Sequence, residues 1–221
     1  VDGMLVSLDL ERDSFSLAYM LGTVTAGLAA PYAGRMVDRF GSRIVGCLGY
    51  FSLGLILIYA GIIDRIYEVG FPLINPEVYA FALVFTAFAG MRLIGIGFAM
   101  ISCRSMVFKW FEGRRGMAAA INGVVLSLSF SSAPLLLNGF VVDFGWQHTW
   151  IGIGGFFIIV FLPLAWIFFR DSPEACGVEV EQGSRRQQSL KTRIPIVRDF
   201  TGPEAIRTYT FWVFAGALAL N

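Results

Sequence analysis

The sequence predicts an all-α fold, a polytopic bundle of membrane helices. Hydrophobic residues make up 56% of the chain and charged residues 15%, whereas soluble domains carry about 25% charged residues. The apolar residues gather into runs near the roughly 20 residues that a helix needs to cross a bilayer. Short polar stretches separate these runs, which is the pattern of membrane helices joined by loops.

The composition also argues against several classes of protein. A net charge of +1 gives no sign of a nucleic-acid partner. The single histidine and the three cysteines, Cys47, Cys103 and Cys176, lack the spacing of a zinc site or a disulfide framework. We therefore expect no metal, no cofactor and no catalytic residues, and the first partner that the sequence indicates is the lipid bilayer.

The apolar runs place each element in chain order. Residues 1–13 are polar and acidic, unlike a signal peptide, and are predicted to form an external loop. Five complete spans should then form the bundle of residues 14–169, at positions 14–34, 44–63, 78–103, 117–142 and 149–169. A polar central segment, 170–207, should link this bundle to residues 208–221, the start of a further helix too short to span. We expect the chain to be part of a longer protein.

Two of the spans and the central segment have simple expected roles. The second and fifth spans are apolar on all sides and are expected to be scaffold that faces lipid. The central segment has little apolar content, so we expect a linker that is partly disordered or lies on the membrane surface. A regulatory role for this segment is the alternative.

The basic residues are distributed unevenly among the predicted loops. Fourteen of the 17 Lys and Arg residues lie in three segments: the turns after the first and third spans, and the central segment. Only Arg12 and Arg65 lie in the loops of the other side. Because cytoplasmic loops are enriched in Lys and Arg, we expect these three segments to be cytoplasmic, in a plasma membrane or a bacterial inner membrane.

Residues 34–43, between the first two spans, are called the latch segment below. Its arginines suit an anionic cytoplasmic surface, its glycines suit a sharp turn, and its lone carboxylate should be ionised and paired with an arginine. We interpret five of its residues as a conformational latch: Gly34, Asp38, Arg39, Gly41 and Arg43. A solvated cluster of loop charges is the simpler alternative.

The spacing Gly-x-x-x-Asp-Arg-x-Gly-x-Arg in the latch segment resembles the signature loop between helices two and three of the major facilitator superfamily. The resemblance implies that the chain is the N-terminal half of a major facilitator fold, from helix two to helix six, with the start of helix seven. It also implies nested three-helix inverted repeats and a secondary transporter that works by alternating access.

Other stretches resemble one branch of this family, the oxalate/formate antiporter-like and monocarboxylate porter-like members. Residues 109–116, Lys-Trp-Phe-Glu-Gly-Arg-Arg-Gly, carry much of this likeness, although an anchoring loop at the membrane surface also explains them. Further matches lie at 144–146, 172–174 and 201–212. Two departures are Gln147, where arginine would be commoner, and Ala133, which replaces the glycine of the Gly-Pro motif of drug antiporters. The branch implies a small organic anion, a monocarboxylate or dicarboxylate, as substrate.

Arg92 is the only charged residue deep within a predicted span. An arginine at that depth is energetically costly and marks a functional site by default. Gly95 and Gly97 follow it as predicted hinge positions that let a neighbouring helix or a ligand come close, and the Arg92–Gly97 spacing partly resembles the helix-four motif of the family. We predict that Arg92 attracts a carboxylate, on a substrate or on a coupling residue. The alternative is that it bonds to helix-end carbonyls and holds the bundle together.

A polar stripe marks the fourth span. Ser127, Ser131, Pro134 and Asn138 follow one another at intervals of four, three and four residues, which places them on one helical face. We predict that the two serines and Asn138 contribute to substrate binding and that Pro134 is a hinge. The alternative is that serines of this helix simply bond to carbonyls of their own backbone.

These observations together predict a secondary active transporter of a small organic anion. Its further partner would be a coupling proton or a counter-anion, and because no Asp or Glu lies inside a complete predicted span, a proton relay would need a carboxylate elsewhere. A drug or other small-molecule exporter is one alternative, and a transporter-like sensor that binds without transport is another. An integral membrane enzyme is disfavoured, because the spans contain no nucleophile–base pair.

Overall fold

The structure is a computed structural model. It describes residues 2–70, 75–111, 115–170, 204 and 206–219. In this part of the chain every regular element is helical and none is a strand, which confirms the predicted all-α fold.

The helices before residue 180 belong to one compact unit, Val1–Val180. They are α1 (Asp2–Ser7), α2 (Arg12–Phe40), α3 (Ser42–Gly61), α4 (Ile63–Gly70), α5 (Pro76–Trp110), α6 (Arg115–Phe144) and α7 (Trp146–Phe168). Two of these helices contain π-helical turns, at Leu93–Met100 in α5 and at Phe157–Phe161 in α7.

Four of the described helices are long and apolar enough to cross a membrane: α3, α5, α6 from Gly116 onward, and α7. Helix α2, the first of the five predicted spans, has 29 residues, which is sufficient length. It is not one of the four, because serine, threonine, tyrosine and proline residues lower the hydropathy of its apolar run, 14–34. Its crossing of the membrane stays a prediction.

The helices extend further into the predicted loops than the hydropathy indicated. Helix α2 continues to Phe40 and α3 starts at Ser42, so the latch segment is helical on both sides of Gly41. Likewise, α1 and α4 form within the stretches predicted as external loops. The physical reason is that polar side chains do not stop a helix by themselves, since they leave its backbone hydrogen bonds intact.

Two turns of a single glycine each join a pair of long helices. Gly41 joins α2 to α3 with φ of 84°, and Gly145 joins α6 to α7 with φ of 80°. Each glycine donates its N–H to the carbonyl four residues earlier, on Val37 or Val141, at 3.0 Å. These positive φ values are favourable only for glycine. The recurrence of one turn geometry supports the expectation of an internal repeat.

Helix α3 lies at the centre of the first unit and packs against α2, α5 and α7. Of its most apolar window, 44% is buried, compared with 11% for α7 and 0% for α6. Other residues of the same helix are exposed, among them Leu48 and Leu55, so its expected role as scaffold that faces lipid stays a prediction. Its many glycines form a small-residue face, and neighbouring helices approach it closely: a Cβ on Gly154 of α7 would lie 2.6 Å from the carbonyl oxygen of Gly54.

The second compact unit covers Glu181–Asn221. Within it, α8 (Tyr209–Ala219) agrees with the predicted start of a further helix near residue 208. Most of the central segment 170–207 lies outside the described residues. Its expected linker role therefore stays a prediction.

Candidate functional site

Arg92 occupies a junction within α5. It is the last residue of the α-helical part, Pro76–Arg92, and the π-helical turn Leu93–Met100 begins directly after it. A π-helical turn inside an α-helix is uncommon and is frequently found at functional sites. This turn could not be predicted from the sequence, because the apolar residues that form it carry no signal for the change of helix type.

The guanidinium of Arg92 lies over the ring of Tyr19 on α2. Its Cζ atom is 4.8 Å from the ring centroid, within the roughly 6 Å range of a cation–π contact. Arg92 makes no hydrogen bond and no ion pair with any residue that the structure describes. Among those residues, therefore, it does not bond to helix-end carbonyls, as the alternative interpretation required.

Phe88 supports the Tyr19 ring from the α5 side. The Tyr19 and Phe88 rings meet edge to face, with centroids 5.2 Å apart and an interplanar angle of 87°. Phe15 meets the same Phe88 ring with the same distance and angle. Edge-to-face pairs of this kind contribute about 0.5–1.5 kcal/mol beyond the area that they bury. The ring that faces Arg92 is thus held in place by a small aromatic cluster.

The close approach of α2 to α5 sets the position of Tyr19. A Cβ on Gly22 would lie 3.0 Å from the backbone nitrogen of Ala89 and 3.2 Å from the Cβ of Phe88. Ala18, Gly22 and Ala26 are buried at four-residue intervals, and such small residues let two membrane helices pack backbone to backbone. This contact lies between Tyr19 and Arg92 along the two helices, and the long side chain of Arg92 reaches the Tyr19 ring.

The two predicted hinge glycines are not the tightest points around Arg92. A Cβ on Gly97 would lie 3.5 Å from the Cβ of Ala33, and one on Gly95 would lie 3.7 Å from Leu53. Both distances are ordinary van der Waals contacts. Tighter packing in this region occurs at Gly22 and at Gly90, whose Cβ would lie 2.7 Å from Cγ1 of Ile56. The hinge role of Gly95 and Gly97 stays a prediction.

The residues of the latch segment have different surroundings in the structure. Asp38 is exposed and makes no ion pair with the described part of the chain. Arg39, the partner suggested within the segment, lies instead over the ring of Phe40, with its Cζ 5.4 Å from the centroid. Nothing lies within 4 Å of a Cβ placed on Gly34. The pairing of Asp38 with Arg39 is therefore absent here, and the latch role stays a prediction.

Arg43 has a definite structural role at the start of α3. Its Nη2 donates a hydrogen bond of 2.8 Å to the carbonyl of Trp166 near the end of α7, and its Cζ lies 4.4 Å from the centroid of the Trp166 ring. At the end of α5, Trp110 donates from Nε1 to the carbonyl of Arg170 at 3.0 Å. These contacts gather the start of α3 and the ends of α5 and α7 at one end of the bundle.

A separate contact joins two helices at the opposite end. Gln147, at the start of α7, donates from Nε2 to Oδ2 of Asp64, at the start of α4, over 3.1 Å. The position at which the sequence resemblance favoured arginine thus holds a neutral donor to a carboxylate.

The polar stripe of the fourth span does not join Arg92. Ser127, Ser131 and Asn138 are all exposed on α6, which packs mainly on α7 and on the last turns of α5. Their predicted part in substrate binding stays a prediction.

Helix α6 continues without interruption through Pro134. Serine–backbone bonds are present close to it, from Ser129 to the Val125 carbonyl and from Ser132 to the Leu128 carbonyl, each at 2.8 Å. These bonds lie beside the predicted stripe rather than on it. The hinge role of Pro134 stays a prediction.

A small apolar cavity of about 100 Å³ lies between α1, α2, α5 and α7. It shares Phe88 with the aromatic cluster, and Trp146 and Trp150 close another side. The lining contains no charged side chain. It therefore offers nothing that would attract an ion, and Arg92 remains the better candidate.

Comparisons with known proteins agree with the fold. The profile of the Major Facilitator Superfamily matches residues 2–221. A curated relative, "Uncharacterized MFS-type transporter YcxA" of Bacillus subtilis (strain 168), is 25% identical over 177 residues, which cover 78% of this chain and 39% of the relative. The chain thus spans well under half of the length of that relative. No solved structure matches the present chain significantly.

Proposed function

The chain belongs to the Major Facilitator Superfamily, whose members are membrane transporters rather than enzymes, and from this premise we propose that the protein moves a small organic anion across a membrane. The substrate is a monocarboxylate or a dicarboxylate. One observation carries this proposal: a mid-span guanidinium contacts an aromatic ring and has no hydrogen-bonding partner in the described chain.

The chemistry of Arg92 favours a carboxylate ligand. A guanidinium in a membrane span stays charged, so it needs either a counter-charge or a polar contact to offset the cost of its burial. The Tyr19 ring attracts the positive charge but leaves the N–H donors without acceptors. A carboxylate accepts two parallel hydrogen bonds from the planar guanidinium, which gives both affinity and orientation.

The proposed transport cycle is alternating access, with the anion bound at Arg92 in α5 and the binding site opened to one side at a time. No Asp or Glu lies inside the predicted spans, so a relay for a coupled proton would need a carboxylate elsewhere in the full-length protein. Exchange for a counter-anion requires no such relay. The likeness of residues 109–116 to the oxalate/formate antiporter-like and monocarboxylate porter-like branch is what supports an antiporter.

The orientation in the membrane is part of the proposal. Arg43, Lys109 and Arg170 belong to the three basic segments, and contacts of Arg43, Trp110 and Arg170 gather these segments at one end of the bundle. Their grouping supports a cytoplasmic position for that end, because cytoplasmic loops are enriched in Lys and Arg.

Counterflow tests the proposed function directly. The full-length protein is reconstituted into proteoliposomes preloaded with unlabelled lactate, oxalate or succinate, and uptake of the same labelled anion is measured. A transporter of carboxylates gives transient accumulation with at least one of these anions. Binding of an anion without counterflow would instead identify a sensor. Counterflow of apolar or cationic compounds, with no response to any carboxylate, would identify an exporter of another substrate class.

A further inference from the structure

We propose that Tyr19 is a positioning residue of the anion site, whose ring holds the guanidinium of Arg92 where a carboxylate can reach its N–H donors. The inference rests on the proposed role of Arg92 and adds a second residue to the site. Tyr19 lies on a different helix, so the site is formed by α2 and α5 together.

The geometry around Tyr19 supports a positioning role. The ring is contacted on one side by Phe88, edge to face at 5.2 Å, and on another by Arg92 at 4.8 Å. The backbone near it is fixed by the close contact between Gly22 and Ala89. The ring is therefore held by packing that does not depend on a ligand, and it can hold Arg92 in the absence of one.

Arg92 needs such support because its side chain is long and flexible. An unrestrained arginine loses up to about 2 kcal/mol of rotamer entropy when it is ordered, and this loss weakens ligand binding if ordering occurs only on binding. A cation–π contact orders the guanidinium beforehand. It also leaves the N–H donors for a carboxylate, which a salt bridge within the protein would not.

The hydroxyl of Tyr19 is a second group that is accessible to a ligand. Tyr19 is 41% exposed, and its hydroxyl has no hydrogen-bond partner among the described residues. The proposal assigns the effect to the ring and not to this hydroxyl. A test must therefore change the two separately.

The test compares four variants of the full-length purified protein. Tyr19→Phe removes the hydroxyl and keeps the ring, whereas Tyr19→Leu removes the ring and keeps an apolar side chain. Phe15→Leu is the matched control, because Phe15 forms the same edge-to-face pair with Phe88, whereas the ring beneath Arg92 is that of Tyr19. Arg92→Gln removes the proposed anion ligand itself. Affinity for lactate, oxalate and succinate is measured by calorimetry, and the melting temperature is measured on the same samples.

We expect Tyr19→Leu to weaken carboxylate binding by about 3- to 30-fold, the factor that corresponds to the strength of a cation–π contact. Tyr19→Phe should stay within about twofold of the wild type. Phe15→Leu should also lower the melting temperature, since it too loses one edge-to-face pair with Phe88, while its affinity stays unchanged.

Each other outcome has a definite meaning. If Arg92→Gln abolishes binding but Tyr19→Leu binds as the wild type does, the role of Tyr19 is overturned and the proposed function stands. An equal loss of carboxylate affinity in Tyr19→Phe and Tyr19→Leu would assign the effect to the hydroxyl and overturn the role of the ring. A wild-type protein that binds no carboxylate would overturn both proposals.

Discussion

Arg92 illustrates how a membrane helix can carry a single charged side chain. Its position deep in an apolar run was evident from the sequence, because one charge among aliphatic residues stands out in any hydropathy plot. Its partner was not evident. Tyr19 lies far away in the sequence, and the packing of α2 against α5 places its ring beside Arg92. A linear pattern does not contain that packing.

The latch residues were predicted from a motif, and the structure gives them unequal roles. Arg43 bonds to the end of α7 and so stabilises the bundle itself. Asp38 is exposed and unpaired within the described part of the chain, so any partner that it has must lie elsewhere in the full-length protein. The motif thus did not distinguish the residue that bonds to a neighbouring helix from the residue that is exposed.

Replacement of Asp38 tests the latch. Asp38→Asn keeps the shape of the side chain and removes its charge, so a conformation that depends on its ion pair should lose about 1–3 kcal/mol. We expect transport in proteoliposomes to fall while the amount of folded protein stays near normal. The matched control is Asp143→Asn, an exposed carboxylate beside the other single-glycine turn, at Gly145, which should transport normally. Wild-type transport by Asp38→Asn would show that the latch segment is only a turn between two helices.

At the scale of helices, four of the five predicted spans correspond to helices long and apolar enough to cross a membrane, and the predicted helix ends were less accurate. Long apolar runs predict helices because each peptide group in a bilayer must bond within its own helix. The ends were misplaced because α2 continues through charged residues until Gly41, whose positive φ ends it. The central position of α3 was also missed. Burial of an apolar helix against others depends on its glycine face, and hydropathy alone does not separate that face from one that contacts lipid.

The contact between α3 and α7 provides an element-scale prediction. A Cβ on Gly154 would lie 2.6 Å from the carbonyl oxygen of Gly54, too close for the backbones to keep their positions. We expect Gly154→Ala to destabilise the protein by about 1–3 kcal/mol, the usual cost of overpacking, and to lower its melting temperature in detergent.

Gly155→Ala is the control for this prediction. It lies next in the same helix, and nothing lies within 4 Å of its Cβ position, so its change in stability should stay within about 0.5 kcal/mol. Equal melting temperatures for the two variants would contradict the close packing of α3 and α7.

At the scale of the whole molecule, the basic segments indicate how the bundle is oriented in the membrane. Charge counting predicted three segments on one side, and the contacts of Arg43 and Trp110 bring parts of all three together at one end. The grouping of these segments at one end agrees with the charge count. The position of the polar stripe on α6 relative to Arg92 could not be predicted, because a stripe on one helix does not specify which neighbour it faces.

Cysteine labelling at the two ends of α5 tests the orientation of the protein in the membrane. Asn75 precedes α5 and Lys109 lies near its end, and both are exposed. On a background without Cys47, Cys103 and Cys176, a cysteine at position 75 should react with an impermeant thiol reagent in intact cells. One at position 109 should react only after permeabilisation. The reverse pattern would invert the proposed topology.

The central claim is that Arg92 binds the carboxylate of a transported anion, and one paired measurement on the purified full-length protein tests it most directly. Carboxylate affinity and melting temperature are compared for wild type, Arg92→Lys and Arg92→Gln. We expect Arg92→Lys to bind weakly, because the charge remains but the planar fork is lost. Arg92→Gln should bind no carboxylate and still melt within a few degrees of the wild type, since it leaves no unpaired charge. Normal affinity in Arg92→Gln, with a lowered melting temperature, would show that Arg92 holds the bundle together and would remove it from the site.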